Sequence, residues 1–238
     1  MTPPRVVVLD DEDAVAVSVA DALAARLALP GEHHAVLTGG GVGTRVLAEL
    51  LERCEGIDWE RVHLWWGDER FLPAGDAERN ETGARAALID AIPIPPGNVH
   101  PMPADVGQGL AQAALAYADE LARASHDGFV PDFDVLLLGM GPEGHVASLF
   151  PGMPALHDAA STAAIDDSPK PPPSRVTLTL AAIRASREVW VVAAGAAKAE
   201  AAAAAIAPGT LPDAVPAAGA RGRESTVFWL DRAAAAEI

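Results

Sequence analysis

Cysteine is nearly absent from this chain of 238 residues: Cys54 stands alone, so no intrachain disulfide can form and nothing points to an oxidising compartment. Cys54 itself reads as a small buried hydrophobe. Lysine is almost as scarce, with only Lys170 and Lys198. Positive charge as a whole is short, 17 Lys and Arg against 33 Asp and Glu, for a formal net charge of -16. Such a surface repels nucleic-acid phosphates and anionic lipid, so the expected partners include neither; a small anion can still bind locally. No apolar run is long enough to cross a membrane. Val6 to Leu9 meets Asp10, Asp11, Glu12 and Asp13, too short and too acidic for a signal peptide, and the expected setting is the cytoplasm. Zinc spacing is missing too: His33, His34, His63, His100, His126 and His157 are scattered and read as surface or core histidines, so no metal and no cofactor is expected.

The chain does have apolar mass: half of its residues are hydrophobic, enough for one domain spanning 1–238. Short β-branched runs alternate with alanine- and leucine-rich stretches of helical character, the α/β signature. Strands are expected at Val6 to Leu9, His34 to Leu37, Val62 to Trp66, Val135 to Leu138, Val176 to Leu180, Val189 to Ala193 and Val227 to Leu230. Helices are expected at Ala14 to Leu29, through Val46 to Leu51, past Asn80 to Ile92, at Gln108 to Ala124 and at Ala196 to Ile206. Pro93 to Pro103 is too rich in proline for sustained regular structure. The fold class that follows is a Rossmann-like open, mostly parallel sheet with helices on both faces.

Ligands of open parallel sheets sit beyond the carboxyl ends of the strands, so the loops after strands are where chemistry is sought. Thr38-Gly39-Gly40-Gly41-Val42-Gly43 offers unobstructed amides ahead of a helix N-terminus, suited to an anion; a glycine-rich tight turn is an equal alternative. Gly67-Asp68-Glu69-Arg70 places charges at the end of Leu64-Trp65-Trp66, or is an exposed turn. Gly139 to His145 contains a formal G-x-G-x-x-G. Pro151, Gly152 and Pro154 break the helix that a dinucleotide fingerprint needs, so that reading fails. What remains is one carboxylate, Glu143, and one histidine, His145, on a glycine loop, catalytic or structural with similar weight. Lys170, Arg175 and Lys198 lie beside expected strand ends, as a cationic site or as solvated surface.

Together these segments resemble a known family. Trp66-Gly67-Asp68-Glu69-Arg70-Phe71, with Asn80 downstream, is similar to the W-G-D-E-R segment of 6-phosphogluconolactonases. Leu138 to Gly152 resembles their histidine loop, G-x-D-G-H-T-A-S-L-F-P. Lys170 to Thr177 resembles a third block, and Ala194 to Ala199 a fourth. The resemblance runs from the second strand to Trp229-Leu230-Asp231. Two departures stand out: the first glycine loop lacks the hydroxyls and proline of S-G-G-S-T-P, and Glu143 replaces an aspartate.

The resemblance implies hydrolysis of a phosphorylated sugar lactone without a cofactor. His145 would be the general base and then the acid, with Glu143 orienting it. Arg70, Arg175 and Lys198 would clamp the phosphate, with Thr38, Gly39, Gly40, Gly41, Asp68, Gly141 and Gly144 completing the substrate site. Amides of Gly139 to Gly144 are candidate oxyanion donors. The expected state is a monomer or weak homo-oligomer. Two alternatives remain. An amino-sugar-phosphate deaminase would need a glutamate five positions after the histidine, where this chain has Phe150. A non-catalytic sugar-phosphate sensor would need the clamp but not His145.

Overall fold

A computed structural model describes residues 3–238. Its main sheet has seven strands, all parallel: β1 (Arg5–Leu9), β2 (His33–Leu37), β3 (Val62–Trp66), β5 (Val99–His100), β6 (Val135–Gly139), β9 (Glu188–Ala193) and β10 (Ser225–Asp231). Their order across the sheet is β1-β10-β9-β6-β2-β3-β5. The uninterrupted Val135-Leu136-Leu137-Leu138 run occupies the middle and is buried throughout, as a strand covered on both faces must be.

Six helices pack around the sheet: α1 (Glu12–Leu27), α2 (Gly40–Leu51), α3 (Asn80–Ala87), α4 (Leu110–Arg123), α5 (Leu180–Arg184) and α6 (Ala199–Ile206). α1 shows why these segments are helical. Asp11 caps it by accepting from the Ala14 amide at 2.9 Å, Glu12 and Asp13 sit in its first turn and Arg26 in its last, each complementing the helix dipole. Val15, Val19, Leu23 and Leu27 recur every fourth residue and are buried together. Trp65, Trp66, Tyr117, Phe133 and Phe228 are the largest fully buried aromatic side chains, and the Tyr117 hydroxyl accepts from the Trp66 amide at 3.0 Å.

From β2 the chain moves through β3 to β5 in one direction, and from β6 through β9 to β10 in the other. The order therefore reverses between β2 and β6, the place where such sheets open a crevice. A second sheet crosses this end: β4 (Asp68–Arg70), β8 (Arg175–Leu178) and β7 (Thr162–Ile165), antiparallel in the order β4-β8-β7. Arg70 pairs with Arg175 and Asp68 with Thr177.

Several expectations are corrected here. Gly67 to Arg70 is not a free turn, because Asp68–Arg70 forms β4. The Val176 to Leu180 strand ends at Leu178 and belongs to the small sheet. Gly40 to Gly43 is already the first turn of α2 rather than loop. The helix after Asn80 stops at Ala87 and continues as a short 3-10 turn. The proline-rich segment still supplies a two-residue edge strand, β5. Cys54 is partly rather than fully buried. Among the described residues no helix is long and apolar enough to cross a membrane.

Candidate active site

A cavity of about 320 Å³ opens at the carboxyl ends of β2, β6 and β9. Thr38, Gly39, Gly40 and Gly41 line one wall, Gly141 and His145 another, and Asp68, Arg70, Arg175 and Lys198 enter from β4, β8 and the turn after β9. Ten of the expected site residues thus meet at the switch point. Glu143 and Gly144 do not line the cavity.

The first wall is built for close approach. Gly39 is the N-cap of α2 without a side-chain cap bond, so the first amides of the helix keep their donors for a ligand. A side chain on Gly39 would collide with the Asn80 carboxamide. Thr38 uses its Oγ1 to accept from the Gly139 amide at 3.0 Å, tying the β2 loop to the β6 loop.

The histidine loop folds back on itself. The Gly141 amide donates to the His145 carbonyl at 2.9 Å and the Gly144 amide to the Gly141 carbonyl at 3.0 Å. Gly144 has φ +81° and faces Val215, which a side chain there would meet at 2.6 Å. The turn throws the His145 ring onto Phe150, stacked at 4.3 Å between centroids. Its Nδ1 lies 3.2 Å from Glu143 Oε1, and the same oxygen is 2.9 Å from Lys170 Nζ. No described residue hydrogen-bonds Nε2. Burial lowers the His145 pKa below 6.5, and the Lys170 charge lowers it further against the opposing pull of Glu143. Burial of Glu143 works to raise its pKa. Bonds from its own amide, from Lys170 and from His145 outweigh that and bring it down to about 2. Lys170 pulls both members of the pair downward, adding to burial at His145 and to the amide bond at Glu143.

The W-G-D-E-R segment divides into a support and a wall. Glu69 is buried and accepts from the amides of Arg70 at 2.8 Å, Asn80 at 2.6 Å and Glu81 at 2.8 Å. It therefore caps α3 and fixes the backbone of Arg70. Burial raises its pKa against these bonds and the neighbouring Arg79. Asp68 Oδ2 accepts from Ser148 Oγ at 2.6 Å and lies 3.8 Å from Arg175 Nη1. Arg70 Nη1 donates to the Glu78 carbonyl at 2.7 Å and to Asn80 Oδ1 at 2.8 Å. Its Nε is buried with no partner.

The three expected clamp residues are not equivalent. Arg175 donates from Nε to the Pro172 carbonyl and from Nη2 to those of Lys170 and Pro171, each at 3.1 Å. It braces the 170–172 segment before it meets any ligand. Lys198 has no hydrogen bond or ion pair to a described residue, and burial followed by repulsion from Lys170 lowers its pKa. Lys170 does not line the cavity but stands beside Glu143 and His145. Sequence reasoning also missed Glu69 and Ser148 as supports, and Glu12 at the cavity rim. The oxyanion expectation narrows to Met140, which lines the cavity. Amides of Gly139, Gly141, Glu143 and Gly144 are engaged within the protein, and Pro142 has none. Among the described residues, no group of three or more His, Cys, Asp or Glu is placed to hold a metal ion.

Fold and site together define an α/β protein with an anion-ready crevice at the reversal of strand order, served by one histidine. Residues 10–229 match the family described as glucosamine-6-phosphate isomerases/6-phosphogluconolactonase. The 6-phosphogluconolactonase of Mycobacterium tuberculosis is 52% identical over 222 residues, covering 91% of this chain and 90% of the relative. That of Streptomyces coelicolor is 48% identical over 248 residues, covering 99% and 95%. The solved 6-phosphogluconolactonase of Thermotoga maritima is 29% identical with a TM-score of 0.83, covering 96% and 99%. The chain belongs to the glucosamine-6-phosphate isomerase and 6-phosphogluconolactonase family, and within it to the 6-phosphogluconolactonase branch.

Proposed function

We propose that this protein hydrolyses 6-phospho-D-glucono-1,5-lactone to 6-phospho-D-gluconate, the lactone-opening step of the oxidative pentose phosphate pathway, in the cytoplasm. The observation that carries the mechanism is the placement of His145. Its Nδ1 is engaged by Glu143 at 3.2 Å, while Nε2 has no described partner and the residue lines a cavity that also receives Arg70 and Lys198.

With the Nδ1 proton held by Glu143, Nε2 carries the lone pair. It takes a proton from water as the water oxygen attacks C1 of the lactone. The C1 to ring-oxygen bond then breaks, and the imidazolium returns the proton to the departing ring oxygen. The carboxylic acid product loses its own proton to solvent. A lowered His145 pKa keeps the ring neutral, and so basic, at neutral pH.

Arg70 and Lys198 hold the 6-phosphate, since neither has a carboxylate partner among the described residues. The free donors on the facing wall are the first amides of α2 and these two cations, which serve the phosphate and the oxyanion between them. Phe150 stacked on His145 occupies the position where the deaminase reading needs an acid.

The test is His145→Ala assayed on freshly made lactone with spontaneous hydrolysis subtracted. Turnover should fall by about 10² to 10⁴, the range for a positioned acid-base group, while binding of 6-phosphogluconate persists. Turnover near that of the native protein would overturn the assignment.

A further inference from the structure

Lys170 is one of only two lysines in the chain, and the proposed reaction does not use it. It is not a cavity-lining cation. Its ammonium lies 2.9 Å from Oε1 and 3.2 Å from Oε2 of Glu143, and 3.5 Å from Nδ1 of His145. It also stands 5.8 Å from the centre of the Phe150 ring, the ring against which His145 is stacked.

The contact is prepared on the other side. Arg175 binds the carbonyls of Lys170, Pro171 and Pro172 and is almost fully buried, so the backbone carrying Lys170 is held from the core. Glu143 by contrast is partly exposed, and as a glutamate it has three side-chain torsions to fix. The imidazole contact at 3.2 Å is by itself a weak anchor for such a group. A second, charge-assisted bond on the opposite side holds the carboxylate in one place.

The orientation matters because neutral imidazole carries its proton on only one nitrogen. A carboxylate at Nδ1 selects the Nδ1–H form and leaves the Nε2 lone pair toward the cavity. Were Glu143 to swing away, the ammonium at 3.5 Å would face Nδ1 and select the opposite form, with the proton on Nε2, where no base is left.

We propose that Lys170 is a positioning residue for hydrolysis, holding Glu143 against Nδ1 of His145 so that the imidazole presents Nε2 as its basic nitrogen. This inference rests on the reading of His145 as general base. Lys170 touches no reacting atom; it acts through Glu143.

The experiment compares native protein, Lys170→Met, Lys170→Arg and His145→Ala by two measurements. Kinetics on the phosphorylated lactone separate kcat from KM. Long-range proton–nitrogen NMR on protein labelled with ¹⁵N-histidine, above about pH 7.5 where free imidazole is neutral, reads the tautomer of His145, whose signals are those missing from His145→Ala. The native protein should show the Nδ1–H form. Lys170→Met, with neither a fixed carboxylate nor an ammonium at Nδ1, should show a mixture of tautomers and drop kcat by about tenfold, a part of what a positioned base contributes, with KM within about twofold. Lys170→Arg should restore most of both. An unchanged tautomer and kcat in Lys170→Met overturns the proposal. So does a rise in KM alone, which would make Lys170 a phosphate ligand. Turnover persisting in His145→Ala would instead refute the general-base reading itself. Lys170 is only partly exposed, so thermal melts check that the variants are folded when compared.

Discussion

The hydroxyl of Thr38 accepts a hydrogen bond from the amide of Gly139 at 3.0 Å, joining the ends of β2 and β6 where the strand order reverses. These two strands run side by side only through Ala35 with Val135 and Val36 with Leu136. Beyond that their loops diverge, one toward α2 and one toward His145. Thr38 is thus a spacer between the anion wall and the histidine wall, as well as a cavity-lining residue.

Thr38→Val keeps the shape and removes the acceptor, leaving the Gly139 amide unpaired. The expected cost is about 0.5–1.5 kcal/mol of stability, the net range for one hydrogen bond, since this bond is part-buried, together with a fall in kcat as the two walls lose register. Thr38→Ser keeps the oxygen and should stay close to the native protein in both respects. Chemical denaturation of the pair decides the matter: equal stability for Val and Ser would mean that the bond contributes nothing.

Gly141→Ala should separate fold from activity. A Cβ at this position would run into the imidazole of His145 and the carboxylate of Glu143. Both are ends of rotatable side chains rather than backbone, so the loop can keep its path while the ring turns away. The melting temperature should change little and turnover should collapse. Retained turnover would show that the ring is not held where the cavity needs it.

Much of this is legible in the sequence. Val62–Trp66 matches its expected bounds, and Val135–Gly139 extends its own by one residue, because uninterrupted apolar runs have few alternatives. The glycine loops and His145 stood out as candidates because backbone approach and a histidine at a strand end leave marks in the sequence, while their roles came from the family resemblance. Other features had no such mark. β4 and β7 have three and four residues, too few to show a period, and the pairing of β4 with β8 spans more than a hundred positions. Glu69 looks like a surface charge until its three amide donors are known. The Lys170 to Glu143 contact depends on how Arg175 folds the intervening prolines. Clamp roles assigned by charge alone could not foresee that Arg175 gives Nε and Nη2 to backbone carbonyls and keeps only Nη1 for the cavity.

The phosphate sites should separate two lactones. Lys198→Ala is the cleaner probe, since Lys198 bonds to no described residue whereas Arg70 also holds Asn80 and the Glu78 carbonyl. Losing one charge-assisted contact costs about 1.5–3 kcal/mol, or about ten- to a hundredfold in affinity. That loss should appear with 6-phosphogluconolactone and be small with unphosphorylated gluconolactone. Arg70→Ala should show the same discrimination with an added drop in melting temperature. If Lys198→Ala affects both lactones equally, the cation does not read the phosphate.

The last prediction concerns acid, at the opposite end of the sheet. His34, His63 and His100 sit on the adjacent strands β2, β3 and β5, with the first two rings stacked at 4.8 Å. The Trp65 indole donates to His34 Nδ1 at 3.1 Å, and His34 Nε2 lies 3.1 Å from Glu32. His63 Nδ1 lies 3.0 Å from His100 Nε2, and His100 Nδ1 lies 2.8 Å from Glu120. The indole bond closes only with a neutral His34 ring, because a proton added to Nδ1 would point at the indole N–H. Burial lowers the pKa of His34 against the pull of Glu32 and Asp134. Burial and the neighbouring histidines lower that of His63. Because both folded pKa values lie below the ordinary 6.5, the unfolded chain binds more protons in this range, and stability rises with pH. The contribution is complete above about pH 6.5 and is lost as pH falls from there through the folded values. His145, shifted the same way, adds a loss of the same sign. Replacing His63 by Gln keeps a donor toward His100 and removes one titrating ring, so the drop in melting temperature between about pH 8 and pH 5.5 should shrink. Melts across that range on the native protein and His63→Gln test this directly, and equal drops in the two proteins would show that the ladder does not carry the acid sensitivity.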